Sequence, residues 1–137
     1  MQKTFTILKP DTVKAGKAGA VMNEIEKAGF RIRAVKMLHL TQAQAQGFYY
    51  VHKERPFFNS LVTFMTEGPI VAMVLEADNA IETLRKVMGA TDPAKADAGT
   101  IRKQFGTNIE RNAIHGSDGP ETAAFEIGYF FNQLEIV

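Results

Sequence analysis

The chain has 137 residues, 45% hydrophobic and 23% charged, which fits the ~100–200 residues of one domain and is enough to bury a core without covalent staples. It contains no cysteine, which excludes a disulfide framework, thiolate metal sites and a cysteine nucleophile and is compatible with a reducing cytoplasm. Sixteen Lys plus Arg against fifteen Asp plus Glu leave a formal charge of +1, too balanced for a domain held to nucleic acid by a broad basic surface.

Residues 1–137 therefore read as a single domain. Met1 to Phe5 leads straight into alternating residues, without the basic start and apolar core of an export signal. The longest apolar run, Ile70 to Leu75, is far short of the ~20 residues of a membrane helix, so a soluble, cytoplasmic protein is expected.

Thr4 to Leu8 alternates and meets Lys9-Pro10-Asp11, which predicts a first strand ending at Lys9. Ala18, Val21, Met22, Ile25 and Ala28 recur at helical spacing, and Gly29 stops that helix. Phe30, Ile32 and Ala34 alternate toward Leu40 as a half-buried second strand. Thr41 and Gln44 have capping-box spacing and start a short helix carrying Phe48, Tyr49 and His52. Pro56 opens a second short helix with Phe57, Phe58, Leu61, Val62, Phe64 and Met65, ended by Gly68-Pro69.

Ile70 to Leu75 predicts a central strand covered on both faces. Asn79 and Glu82 are expected to cap a helix burying Ile81, Leu84, Val87 and Met88, which Gly89 ends. Periodicity weakens from Ala90 to Arg111, apart from a helical turn at Ile101 to Phe105; a loop of that length usually has a function. Asn112 to His115 suits a short strand, and Asp118 with Glu121 a cap for a last helix bearing Ala124, Ile127, Phe130 and Phe131. This order predicts an α+β fold, a split β-α-β arrangement with helices on an antiparallel sheet; a doubly wound parallel sheet is the alternative.

Asn112-Ala113-Ile114-His115-Gly116-Ser117-Asp118-Gly119 is the most site-like segment, an imidazole between a small apolar strand and a glycine-containing turn that eases ligand approach. A neutral imidazole is a capable nucleophile; a structural histidine bonded to its own turn has equal weight on local spacing alone. His39 and His52 read as surface or structural, and no histidine or carboxylate cluster has the spacing of a protein-bound metal site. The G-x-x-x-x-G-K-[ST] phosphate loop is absent, since Gly16-Lys17 is followed by Ala18. Lys9, Arg85 and Arg102 are the cations available to phosphate after folding, although each alone reads as a solvated charge. One ring of Phe57-Phe58 suits base stacking and the other the core, and the pattern does not choose between them.

Together, Lys9-Pro10-Asp11, Phe48-Tyr49 with His52, Arg55-Pro56-Phe57-Phe58, Gly68-Pro69, Gly89 to Pro93 and Asn112 to Asp118 closely resemble nucleoside diphosphate kinase over essentially the whole chain. The resemblance implies a ferredoxin-like α+β sandwich with a four-stranded antiparallel sheet, a homo-oligomer (tetramer or hexamer), and Mg²⁺-assisted transfer of the γ-phosphate of a nucleoside triphosphate to a nucleoside diphosphate. It implies that His115 is the nucleophile, forming a phosphohistidine in a ping-pong cycle of broad base specificity. Lys9, Phe57, Arg85, Thr91, Arg102 and Asn112 then line the nucleotide site, with Phe57 as the stacking face. Tyr49 has a supporting role, positioning Lys9 or the migrating group, and Ser117 and Glu126 orient His115. Mg²⁺ is expected to arrive on the nucleotide phosphates, and neither a membrane nor nucleic acid is required. Asp92 and Gly119-Pro120 depart from the usual pattern, the first adding negative charge beside the phosphate loop and the second altering the start of the last helix. The reading from another class is a nucleic-acid or regulatory ligand-binding module in which His115 is structural; a relative that keeps the fold without turnover is the third.

Overall fold

Strands β1 (Gln2–Leu8) and β3 (Ile70–Ala77) lie at the centre of the sheet because both can bury side chains on both faces. The computed structural model describes residues 1–137. With β2 (Arg31–Leu38) and β4 (Ile114–Gly116) the strands form one sheet in the order β2-β3-β1-β4, and every pairing is antiparallel. That topology is the split β-α-β arrangement and rules out the parallel alternative. Seven helices accompany it: α1 (Pro10–Lys14), α2 (Ala18–Lys27), α3 (Gln42–Phe48), α4 (Phe58–Met65), α5 (Ala80–Met88), α6 (Ile101–Phe105) and α7 (Pro120–Phe130).

Strict period-two alternation sorts the core. Phe5, Ile7, Ile70, Ala72 and Val74 face α3, α4 and α7, where they meet Phe48, Val62, Phe64, Met65 and Phe130. Leu8, Val71, Met73 and Leu75 face the opposite way, against Val21 and Ile25 of α2 and Leu84 and Met88 of α5.

The second strand departs from the simple alternation predicted for it. A register shift between Ile32 and Ala34 leaves Arg33 as an extra residue, and the bulge switches faces. Phe30 and Ile32 therefore join the α2 side, whereas Ala34 joins the α3 side. The Thr41 and Gln44 capping box forms as expected, with Gln44 N–H donating to Thr41 Oγ1 at 3.1 Å and Thr41 N–H to Gln44 Oε1 at 2.9 Å.

Three helix starts differ from expectation. Pro56 does not open α4, which begins at Phe58. Asn79 does not cap α5: its backbone is left-handed (φ 51°) and its amide donates to Glu82, while Gln2 Oε1 accepts from Ile81 N–H at 3.0 Å. At α7, Thr122 donates to Asp118 at 2.7 Å and Glu121 takes no part; Ala123, Glu126 and Phe130 are buried and Ala124 is exposed. Helix α1 was not anticipated. Its five residues carry no periodic signal, but Pro10 at its first position presets the backbone angle of a helical turn.

Candidate active site

Alternation in β4 divides the site. Ile114 points into the α2 and α5 core, so His115 must point to the other face, where its ring meets the Phe48 and Tyr49 rings edge-on at centroid distances of 5.5 and 6.3 Å. Gly116 turns back toward α5, and a Cβ there would lie 2.5 Å from Met88 Sδ. The glycine after His115 thus leaves room for the Met88 side chain behind the strand, and it also lines the cavity in front, where its sequence context suggested easy ligand approach.

The strand entering His115 is strained and strongly anchored. Ala113 has φ 76°, and Ile114 N–H donates to the Asn112 carbonyl at 2.9 Å, forming a γ-turn of the rare positive-φ hand. The Lys9-Pro10-Asp11 segment holds it: Asp11 Oδ2 accepts from Ala113 N–H at 3.1 Å, and the Ala113 carbonyl accepts from Lys9 N–H and Thr12 Oγ1, both at 2.9 Å. Two motifs about 100 residues apart in sequence are one structural unit.

His115 Nε2 lies 2.9 Å from Glu126 Oε1, and Ser117 Oγ donates to the same oxygen at 2.5 Å. A carboxylate acceptor requires the proton on Nε2, which leaves the Nδ1 lone pair free. Glu126 comes from the buried stripe of α7 and Ser117 from the residues after β4.

Around this imidazole is a cavity of about 570 Å³, whose lining includes Lys9, Tyr49, Phe57, Arg85, Thr91, Arg102, Asn112, His115 and Glu126. Ser117, buried behind it, reaches the site only through Glu126. Phe57 is 46% exposed in the cavity wall whereas Phe58 packs against the core, so the fold distinguishes the two adjacent rings. The sequence reading missed Ile109, 62% exposed, which belongs to no periodic pattern, and placed His52 among surface or structural residues although it lies in the same wall.

Two of the cations, Lys9 and Arg102, are held in place before any ligand arrives. Lys9 Nζ donates to Asn112 Oδ1 at 2.7 Å, and Asn112 spends its amide hydrogens on the Thr91 and Ile109 carbonyls at 3.0 and 2.9 Å. Asn112 is therefore a hub that positions Lys9 and two loops. Arg102 Nη1 and Nη2 donate to the Gly89 and Ile114 carbonyls at 3.1 and 2.9 Å, and its buried Nε has no partner. Burial, then the neighbouring Arg85, pulls the Arg102 guanidinium down to about 10. Burial, then Arg102, pulls Lys9 down to about 8. The Tyr49 hydroxyl is buried without a partner, and burial, then Glu126, pushes its pKa above the ordinary phenol value. Asp92 accepts from Ala94 N–H at 3.0 Å, so its carboxylate caps the following turn.

The Lys9 shift has a measurable consequence. Its folded pKa lies below the ordinary lysine value of 10.5, so burial of the charge costs stability below pH 8, a cost relieved as pH rises toward 10.5. A bound phosphate chain favours the charged amine, so nucleotide binding just above pH 8 is expected to take up a proton and to weaken by up to about tenfold per pH unit. Calorimetric titration with ADP in buffers of different ionisation enthalpy measures the uptake, and Lys9→Gln should eliminate it. Uptake unchanged in that variant would assign the proton elsewhere.

The family model for nucleoside diphosphate kinase matches residues 2–136. Curated proteins named nucleoside diphosphate kinase from Geotalea uraniireducens and Desulforapulum autotrophicum are 60% and 61% identical over 137 residues, covering all of this chain and 100% and 99% of theirs. Among solved structures, the Aquifex aeolicus nucleoside diphosphate kinase superposes with a TM-score of 0.97 at 47% identity, covering 99% of each chain. The Halobacterium salinarum nucleoside diphosphate kinase in complex with CDP superposes with a TM-score of 0.95 at 38% identity, covering 99% of this chain and 91% of that one.

Proposed function

The chain belongs to the nucleoside diphosphate kinase family, and from that premise we propose that it transfers γ-phosphate between nucleotides in two steps through a phosphorylated His115. The observation that carries the reading is the pairing of Nε2 with Glu126, which orients the ring and leaves Nδ1 as its nucleophilic nitrogen. The Nδ1 lone pair attacks the γ-phosphorus of a nucleoside triphosphate as the bond to the β-phosphate oxygen breaks, and the diphosphate leaves. A terminal oxygen of a second diphosphate then attacks, the N–P bond breaks, and His115 is restored. Glu126 stabilises the positive ring of the intermediate, and Ser117 holds that carboxylate in place.

Arg102, Arg85 and Thr91 bind the phosphate oxygens on which charge develops, and Lys9, positioned by Asn112, serves the bridging phosphate or sugar hydroxyls. Tyr49 packs beside the imidazole and closes that side of the cavity. No group of three or more His, Cys, Asp or Glu residues could hold a metal ion, a donor set that fits Mg²⁺ entering on substrate oxygens and waters. Asp118, an exposed carboxylate in the cavity wall, could add a protein oxygen to that shell. When bound, Mg²⁺ neutralises phosphate charge.

Stacking on Phe57 without extensive base-edge readout supports broad base specificity. Phe57→Ala is expected to weaken ADP binding by ~1–3 kcal/mol with little change in thermal stability, because nearly half of the residue is exposed and it lies outside the core clusters. Unchanged affinity with reduced stability would make Phe57 a packing residue. Residues 1–137 form the single catalytic domain in this proposal, which includes a cytoplasmic homo-oligomer whose tetrameric or hexameric state solution mass would distinguish. No helix is long and apolar enough to cross a membrane. The reaction itself is tested by incubating the protein with γ-labelled ATP and Mg²⁺ and then adding unlabelled nucleoside diphosphate: an acid-labile, base-stable adduct whose label moves to the new triphosphate is expected. A label that never passes through protein would overturn the two-step route.

A further inference from the structure

Ala113 and Asn79 are the two residues other than glycine with positive φ, at 76° and 51°. Asparagine visits that region readily, whereas an alanine Cβ is crowded there, so the conformation of Ala113 has to be held by its surroundings. The residue is fully buried and lies just beyond the ladder in which Thr6 to Leu8 of β1 pair with Ile114 to Gly116 of β4. Its N–H therefore finds a side chain in place of a strand, donating to Asp11 Oδ2 at 3.1 Å.

The two sides of Ala113 are not held equally. Its carbonyl has two donors, Lys9 N–H and Thr12 Oγ1, and keeps one if the other is lost, whereas its N–H has Asp11 alone. That bond is the only hydrogen bond the Asp11 side chain makes, since Oδ1 is buried without a partner. Pro10 and Asp11 open α1, so the carboxylate is carried on a preset turn of backbone. Asp11 does not line the active cavity.

The φ of Ala113 decides how two parts of the site face each other. On one side, Asn112 holds the Lys9 ammonium and the Thr91 and Ile109 carbonyls; on the other, the chain runs through Ile114 to His115. Relaxation of Ala113 to a negative φ would turn the imidazole relative to the Lys9–Asn112 pair while removing no group from the cavity.

We propose that Asp11, from outside the cavity, is a positioning residue for phosphoryl transfer: by holding Ala113 in its strained turn it aligns His115 with the Lys9–Asn112 pair. The inference rests on reading His115 as the phosphoryl acceptor.

Single-turnover labelling of the protein by γ-labelled ATP and equilibrium binding of ADP test it on the wild-type chain, Asp11→Asn, Asp11→Ala, Ala113→Gly and the Asp11→Ala/Ala113→Gly pair. Asp11→Ala is expected to slow labelling by about 10- to 100-fold, the effect of a misplacement of about 1 Å, while ADP affinity stays within about threefold. Asp11→Asn keeps an acceptor for the N–H and removes the charge that favours the Lys9 ammonium, so it should recover most of the rate. Glycine takes a positive φ without strain, so the double variant should label within about threefold of Ala113→Gly alone. That comparison remains decisive if Asp11→Ala by itself does not fold. Wild-type labelling in Asp11→Ala, a loss of ADP affinity as large as the loss of rate, an Asp11→Asn as slow as Asp11→Ala, or a double variant that is slow or unfolded overturns the proposal and leaves His115 as the acceptor. A wild-type chain that never becomes labelled overturns the reading of His115 itself.

Discussion

Replacing His115 by alanine is expected to abolish the labelled protein adduct and to lower phosphoryl transfer by at least ~10⁴-fold, since the variant loses the attacking nitrogen. The remaining cavity keeps Lys9, Arg85, Arg102 and Phe57, so nucleotide affinity should change far less than rate. Stability should fall by only about 1–2 kcal/mol. The carboxylate loses one donor, but Ser117 Oγ still serves the same Glu126 oxygen, and the backbone carbonyl of residue 115 still accepts from Thr6 Oγ1. Quenched-flow labelling with γ-labelled ATP, paired with ADP binding and thermal unfolding of the same variant, separates these effects. Normal labelling in a folded His115→Ala protein would remove the phosphohistidine from the mechanism. Equal loss of binding and folding would make His115 the structural histidine that local spacing alone also allowed.

That local ambiguity shows where the sequence was informative. The continuous apolar run Ile70 to Leu75, the Thr41 and Gln44 cap and the helical spacing after Ala18 are properties of single segments, and each appears in the fold as read. Features that depend on contact between distant segments were not legible. Arg33 looks like one more alternating residue, yet it is the bulge that moves Ala34 to the opposite face. The choice between Phe57 and Phe58 depends on where α4 begins, and neighbouring identical residues carry no signal for it. Gly116 was legible as a position open to a ligand, and it lines the cavity, but only the packed α5 shows Met88 in the space its Cβ would need.

The site was legible in a different way. The Lys9-Pro10-Asp11 and Asn112 to Asp118 segments were recognised by their joint resemblance to a family, whereas the structure supplies the physical link, Asp11 and Lys9 bonded to either side of Ala113 in the γ-turn before His115. Ile109 had neither motif nor periodicity, and His52 belonged to a matching motif but was given no role in the site. Their place in the cavity follows from the turn at Tyr50–His52 and from Asn112, whose amide fixes the Ile109 carbonyl.

Arg102→Ala is expected to have the second-largest effect, and unlike the His115 variant it should affect rate and stability together. From the sequence this arginine read as one of several cations available to phosphate. In the structure it is 7% exposed and also clamps two backbone carbonyls, Gly89 ahead of the Thr91 loop and Ile114 beside the nucleophile. Gly89 has φ 87° and ψ −178°, a conformation favouring glycine, and a Cβ there would lie 2.6 Å from Thr100 Oγ1, so its carbonyl direction is set by the fold. Truncation leaves both acceptors without their donor, at a cost of ~2–4 kcal/mol, and removes a fixed cation from the transferring phosphate, worth ~10²–10³-fold in rate. Arg102→Lys separates the two roles: a lysine keeps the charge but cannot hold two divergent carbonyls and a phosphate with one ammonium group, so it should recover part of the rate and little of the stability. Single-turnover phosphoenzyme formation and thermal unfolding, measured on both variants, provide the comparison. Wild-type transfer in Arg102→Ala at reduced stability would restrict Arg102 to clamping the loops, and lost transfer at full stability would show that the two carbonyls do not depend on it.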